Sequence, residues 1–225
     1  MKLPAKVQIR EVGPRDGLQA EKNFVPTEAK IELINRIFNC QIKLIEATSF
    51  VNPRAIPQLS DAEQVITQID RPSGSVVSAL VGNQRGVQRA IRSGVDEVQV
   101  VISASEVHNQ RNVNMPIAES LRQLGEVVPQ ALQAGVVVRA AIATAFGCPF
   151  EGEIALKQIF WLTDEFRDLG IKQITLADTA GLGDPLLVSR LVGEVWNRHP
   201  ELELALHFHD TRGLGLANSL AGLQS

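Results

Sequence analysis

Cysteine is scarce in this chain. Cys40 and Cys148 are the only two in 225 residues, too few for a disulfide framework, so a reducing compartment is the default expectation. Long apolar runs are missing as well; nothing approaches the roughly 20 residues that a membrane-spanning helix needs. The N-terminal run Met1-Lys2-Leu3-Pro4-Ala5-Lys6 has neither the apolar stretch of a secretory signal nor the Arg/Ser-rich amphipathic pattern of a transit peptide. Together these absences imply a soluble cytoplasmic protein with no membrane partner. No stripe of Lys and Arg stands out, and the formal net charge is −3, which argues against nucleic acid as a partner. The one local basic cluster, Arg85, Arg89 and Arg92, has helical spacing and reads as a solvated helix face.

What is present is an ordinary globular composition, 44% hydrophobic and 21% charged. Short β-branched runs alternate with longer stretches of helical period. The runs predict strands over Val7–Val12, Ile42–Thr48, Ser75–Val81, Val95–Ile102, Val136–Thr144, Ile171–Thr179 and Leu202–Asp210. Helices are expected over Thr27–Phe38, Glu153–Leu169 and Pro185–Arg198, and Ser60-Asp61-Ala62-Glu63 has the form of a capping box opening another. Gly94, Gly135 and Gly170 fall where left-handed helix caps belong.

Strand and helix alternating without a break predict a mostly parallel sheet covered by helices, in a single domain over residues 1–225. Seven such units exceed a usual doubly wound sheet and approach the eight of a (β/α)8 TIM-type barrel. After the seventh strand only Gly213–Ser225 remains, patterned like the start of a helix. The expectation is therefore an α/β barrel whose eighth strand is missing from this chain. Its first and last strands would be open edges that favour pairing with another copy, a possible homo-oligomer.

Several segments carry candidate chemistry. In His207-Phe208-His209-Asp210 the two histidines are two residues apart at the end of a strand, so they project to one face as a ready pair of metal ligands. The alternative is a hydrogen-bonded pair near the surface. Gly13-Pro14-Arg15-Asp16-Gly17 makes a tight loop at the same end of the sheet. Asp16 can complete a facial N,N,O site, and Arg15 is a fixed cation suited to an enolate or carboxylate oxygen; a plain surface ion pair is the alternative. Glu46 lies in an otherwise apolar strand, where a carboxylate needs a partner. Arg15 or the metal site is one choice, and a structural pair with Arg10 or Arg139 the other. Asp178 reads either as support for the metal ligands or as a cap for the next helix. Cys148 sits in a loop with no evident activating group, and His108 and His199 each stand alone in polar surroundings.

Taken together, Glu11-Val12-Gly13-Pro14-Arg15-Asp16-Gly17-Leu18-Gln19, Ile45-Glu46-Ala47-Thr48-Ser49-Phe50-Val51, Ser103-Ala104-Ser105-Glu106, Gly147-Cys148-Pro149-Phe150-Glu151-Gly152, Asp178-Thr179-Ala180-Gly181 and His207-Phe208-His209-Asp210-Thr211 resemble the 3-hydroxy-3-methylglutaryl-CoA lyase family over nearly the whole chain. The resemblance implies a carbon–carbon lyase of leucine degradation that cleaves its acyl-CoA substrate to acetyl-CoA and acetoacetate. It implies that Asp16, His207 and His209 bind Mg²⁺ or Mn²⁺, that Arg15 stabilises the enolate oxygen, and that Glu46 holds Arg15 or assists proton movement. The same resemblance leads one to expect an eighth strand followed by a Gly-Gly-Cys-Pro loop and a further Asn ligand, and the chain stops before these. Two alternatives follow: a lyase for a longer 3-hydroxy-3-alkylglutaryl-CoA, and an inactive truncated remnant that needs a partner chain.

Overall fold

The computed structural model describes residues 3–225, so the first two residues of the N-terminal run and of the expected single domain lie outside the described residues. The strands are β1 (Arg10–Glu11), β2 (Leu44–Ser49), β3 (Val76–Leu80), β4 (Glu97–Ser103), β5 (Val137–Ala143), β6 (Gln173–Asp178) and β7 (Glu203–Phe208). The helices are α1 (Thr27–Asn39), α2 (Ala62–Gln68), α3 (Gln84–Ser93), α4 (Glu106–Val113), α5 (Ile117–Gln133), α6 (Leu156–Asp168), α7 (Pro185–Arg198) and α8 (Gly215–Leu223). The strands form one sheet in chain order, β1 to β7, which is the (β/α)8 barrel type with seven of its strands present. No helix among the described residues is long and apolar enough to cross a membrane.

Two compact units are distinguished. One comprises Val7–Val100 and Glu126–Val138; the other comprises Val101–Gly125 and Arg139–Ser225 with the residues up to Lys6. In the first, β1, β2 and β3 pair in parallel, and β3 pairs in parallel with β4. The strand interiors are β-branched and small, with Ile45, Val77, Ala79 and Val98 fully shielded from solvent, so the sheet is covered on its faces as a parallel sheet must be. Helix α1 buries Ile34 and Phe38 at helical spacing. Asn83 caps α3 by accepting from the Gly86 amide at 2.9 Å, and Gly94 closes it in the left-handed region (φ +81).

Strand β1 is shorter than its β-branched run. Val7 and Ile9 are exposed, and only Arg10 and Glu11 pair, with Leu44 and Ile45. Strand propensity reports fitness for a pleated surface and not pairing itself. The capping box expected at Ser60–Glu63 is also absent. Asp61, one residue past the expected Ser60, stands at the cap position of α2 and makes no side-chain cap. Its carboxylate instead receives Lys30 Nζ at 2.8 and 3.0 Å and the Thr27 hydroxyl at 2.8 Å. Lys30 is only 2% exposed, and a buried ammonium binds a carboxylate more strongly than a peptide N–H does. Glu63, the other half of the box, reaches Arg89 at 2.5 and 2.8 Å. Arg89 is therefore no solvated helix residue: it is paired, and its guanidinium lies over the Phe50 ring.

In the second unit, β5, β6 and β7 pair in parallel, with Ile174 opposite Ala140 and Leu204, and Asp178 opposite Phe208. Helix α6 buries Ile159, Leu162 and Phe166, and α7 buries Val188, Leu191, Val192 and Val195. Helix α6 begins at Leu156, later than its pattern suggests, because Cys148 and Gly152 close an antiparallel bridge and Ala155 is still extended. Asp184 caps α7, accepting from the Leu186 and Leu187 amides at 2.9 Å each. Gly170 takes φ +85 ahead of β6, where the spacing predicts a cap, and Gly135 takes φ +76.

Removing one member of the Lys30–Asp61 pair leaves an uncompensated buried charge. Asp61→Ala is expected to lower stability by about 3 kcal/mol, read as the midpoint of urea unfolding; an unchanged midpoint would show the pair to be inert. The Arg89 guanidinium holds the Glu63 carboxyl below its ordinary range. A carboxyl depressed on folding adds stability above its unfolded value and loses it as pH falls through the folded one. Glu63→Gln should thus be less stable than the parent at neutral pH and converge with it in acid, as thermal melts across pH would record.

Candidate functional site

The chain leaves β1 through a single wide turn over Gly13–Gly17, in which the Arg15 and Asp16 amides both donate to the Val12 carbonyl, at 3.0 and 2.7 Å. Glu11 pins its start by accepting from the Gly13 amide at 2.7 Å, and Pro14 is buried beneath it. The turn aims Arg15 inward, where its side chain is 13% exposed. Arg15 NH1 donates to Asp16 Oδ1 at 2.6 Å, and Arg15 Nε donates to Glu46 Oε1. Glu46 sits in the middle of β2 and is 3% exposed.

This settles the partner of the buried carboxylate. Arg10 is committed elsewhere, to Ser78 Oγ at 2.9 Å and Glu97 Oε2 at 2.6 Å, and Arg139 donates to Gln173 Oε1 at 2.8 Å. Glu46, Arg15 and Asp16 make a continuous chain of charges in which the outermost carboxylate, Asp16, is half-buried.

In the second unit, His207 ends β7 with Phe208, and His209 follows directly. The two imidazole rings lie on one face with centroids 5.0 Å apart, while Phe208 between them packs against Phe146 at 5.3 Å. Strand alternation produces this arrangement. Both histidines are half-buried.

Asp178 is fully buried at the end of β6. It does not cap α7, a role that Asp184 fills. Its Oδ1 accepts from the Leu182 amide at 2.9 Å and its Oδ2 from the Gly183 amide at 3.0 Å, so it shapes the loop after β6. Gly181 in that loop adopts φ +66, and a Cβ there would come within 2.7 Å of Thr211 in the loop after β7.

Cys148 is buried, with Sγ 3.0 Å from Ser105 Oγ, a packed thiol with no activating base. His108 is pushed below its ordinary pKa by burial and stacks on Phe150. His199, expected in polar surroundings, is buried, with its nitrogens 3.4 Å from Asp164 and 3.5 Å from Glu201. The sequence also gave no hint of Thr144, a β-branched residue at φ +56. Its hydroxyl lies 2.8 Å from Ser103 Oγ, and its amide donates to Thr179 Oγ1 at 3.0 Å.

The first unit therefore offers a cation fixed between two carboxylates at a strand end, and the second a matched imidazole pair at the end of β7.

The family model described as HMGL-like matches residues 6–225. A hydroxymethylglutaryl-CoA lyase of Bacillus subtilis is 44% identical over 224 residues, covering 100% of this chain and 75% of that protein. The crystal structure of the Bacillus subtilis HMG-CoA lyase superposes with a TM-score of 0.97 at 44% identity, over 100% of this chain and 75% of that one. An HMG-CoA lyase from A. baumannii, solved in complex with coenzyme A and 3-methylmalate, has a TM-score of 0.92 at 44% identity, covering 96% of this chain and 71% of its own. The chain belongs to the HMGL-like family, among its carbon–carbon lyases.

Proposed function

We propose that this chain is the catalytic domain of a hydroxymethylglutaryl-CoA lyase, cleaving 3-hydroxy-3-methylglutaryl-CoA to acetyl-CoA and acetoacetate as a step of leucine degradation. The observation that carries the reading is the buried Glu46–Arg15–Asp16 chain. A guanidinium held at Nε and at NH1 keeps further N–H donors in a fixed plane, which suits an oxygen that gains negative charge.

The reaction breaks the bond between the carbon bearing the tertiary hydroxyl and the carbon next to the thioester. The hydroxyl proton leaves, its oxygen becomes the new ketone of acetoacetate, and the electron pair passes to the thioester enolate, which a proton then quenches at carbon. Arg15 stabilises the enolate oxygen. Glu46 keeps Arg15 in position.

Asp16, His207 and His209 hold a divalent cation, Mg²⁺ or Mn²⁺. Their donor set, one carboxylate oxygen and two imidazole nitrogens, fits such an ion and leaves positions open for substrate oxygens. When bound, the cation supplies Lewis acidity toward the tertiary hydroxyl and a neighbouring carbonyl oxygen. A cytoplasmic location goes with this reading, because both cysteines are free thiols.

Incubation with the substrate and Mg²⁺ or Mn²⁺ should yield acetoacetate and acetyl-CoA in equal amounts, and EDTA should stop it. Product no faster than in a protein-free control would sink the assignment. Arg15→Lys retains the charge but cannot span Glu46 and Asp16 at once; kcat should fall on the order of 100-fold with a smaller change in KM. Unaltered turnover in that variant would remove Arg15 from the chemistry.

A further inference from the structure

Strand β2 carries an irregularity at its C-terminal end. Glu46 pairs with Ser78, but Thr48 pairs with Ala79 and Ser49 with Leu80, so the register shifts across Ala47. Paired residues in a parallel ladder face the same side of the sheet, and alternate residues along one strand share a side. Ser78 and Leu80 are two apart, so their partners Glu46 and Ser49 face together. Thr48 faces the opposite way, with Ala79. In a regular strand Thr48 would have shared the side of Glu46; the bulge turns it away and brings Ser49 round in its place.

Ser49 is 1% exposed and Thr48 1% exposed, and neither hydroxyl has a hydrogen-bond partner among the described residues. Buried hydroxyls almost always have partners. Thr48 points away from the Arg15–Glu46 pair, so its isolation says nothing about a ligand. Ser49 is on the side of that pair, at the end of a strand where barrel sites are built. A serine hydroxyl there has one proton to donate and two lone pairs to accept with.

We propose that the Ser49 hydroxyl donates a hydrogen bond to an oxygen of the acyl group, and that the bulge at Ala47 exists to aim it. The inference rests on the acyl-CoA reading above and adds a contact residue to it. The unsatisfied hydroxyl weakens the ligand-free fold and is satisfied when substrate enters.

The test measures binding by calorimetry with two probes. Glutaryl-CoA keeps the thioester and carboxylate oxygens but lacks the tertiary hydroxyl, so it is not cleaved; free CoA has no acyl oxygen. Ser49→Ala should bind glutaryl-CoA about 10-fold more weakly, bind free CoA as the parent does, and melt no lower than the parent. Thr48→Val, which removes the other isolated hydroxyl at nearly constant shape, should bind both probes normally. The proposal is overturned if Ser49→Ala binds glutaryl-CoA like the parent, loses both probes equally, or loses stability in step with affinity. It is also overturned if Thr48→Val shows the same selective loss. If the parent chain binds neither probe, the acyl-CoA reading fails first and this contact fails with it.

Discussion

A carboxylate in the middle of a buried strand sets the terms for everything around it. Glu46 is shielded almost completely, and an unpaired charge in such a place is not tolerated. The Arg15 guanidinium answers it, and to do so the chain must leave β1 in a turn that points Arg15 inward. Pro14 buried under that turn and Glu11 holding the Gly13 amide are the local means. The remaining face of Arg15 then orders Asp16. One buried charge thus fixes the geometry of two more side chains, and the chemistry proposed for them depends on that fixity. The arrangement is also a fragile one, because deleting either member of a buried pair leaves the other stranded.

The parts of this structure that could be read in the sequence are those governed by short, strict periods. The histidines at 207 and 209 share a face because strand side chains alternate, a rule that needs no tertiary information. The order of strands and helices follows from the same kind of pattern, and so do the glycine caps at Gly94 and Gly170. The resemblance of the strand-end segments to a known family supplied the rest of the candidate site, and the comparisons place the chain in that family.

What could not be read depends on neighbours distant in sequence. Val7 and Ile9 have strand propensity but no burial, so β1 shrinks to Arg10 and Glu11. Ser60 and Glu63 look like a capping box, but the helix opens at Asp61, whose carboxylate Lys30, buried on another helix, claims. His199 seems a loop residue until Asp164 and Glu201 are seen on either side. The bulge at Ala47 is the sharpest case: a strict alternation count puts Thr48 beside Glu46, and only the pairing with β3 shows that Ser49 has taken that place.

Thr144 carries a consequence of a different kind. It follows β5 in a left-handed conformation that β-branched residues avoid, while its hydroxyl meets Ser103 and its amide meets Thr179. Three strand ends are thereby laced together through one residue. Glycine would suit the backbone there but has no hydroxyl to offer, and valine would keep the shape but lose the same group and still suffer the conformation. Serine would keep the hydroxyl and shed the β-branch. A substitution at Thr144 therefore acts on the ends of β4, β5 and β6 at once.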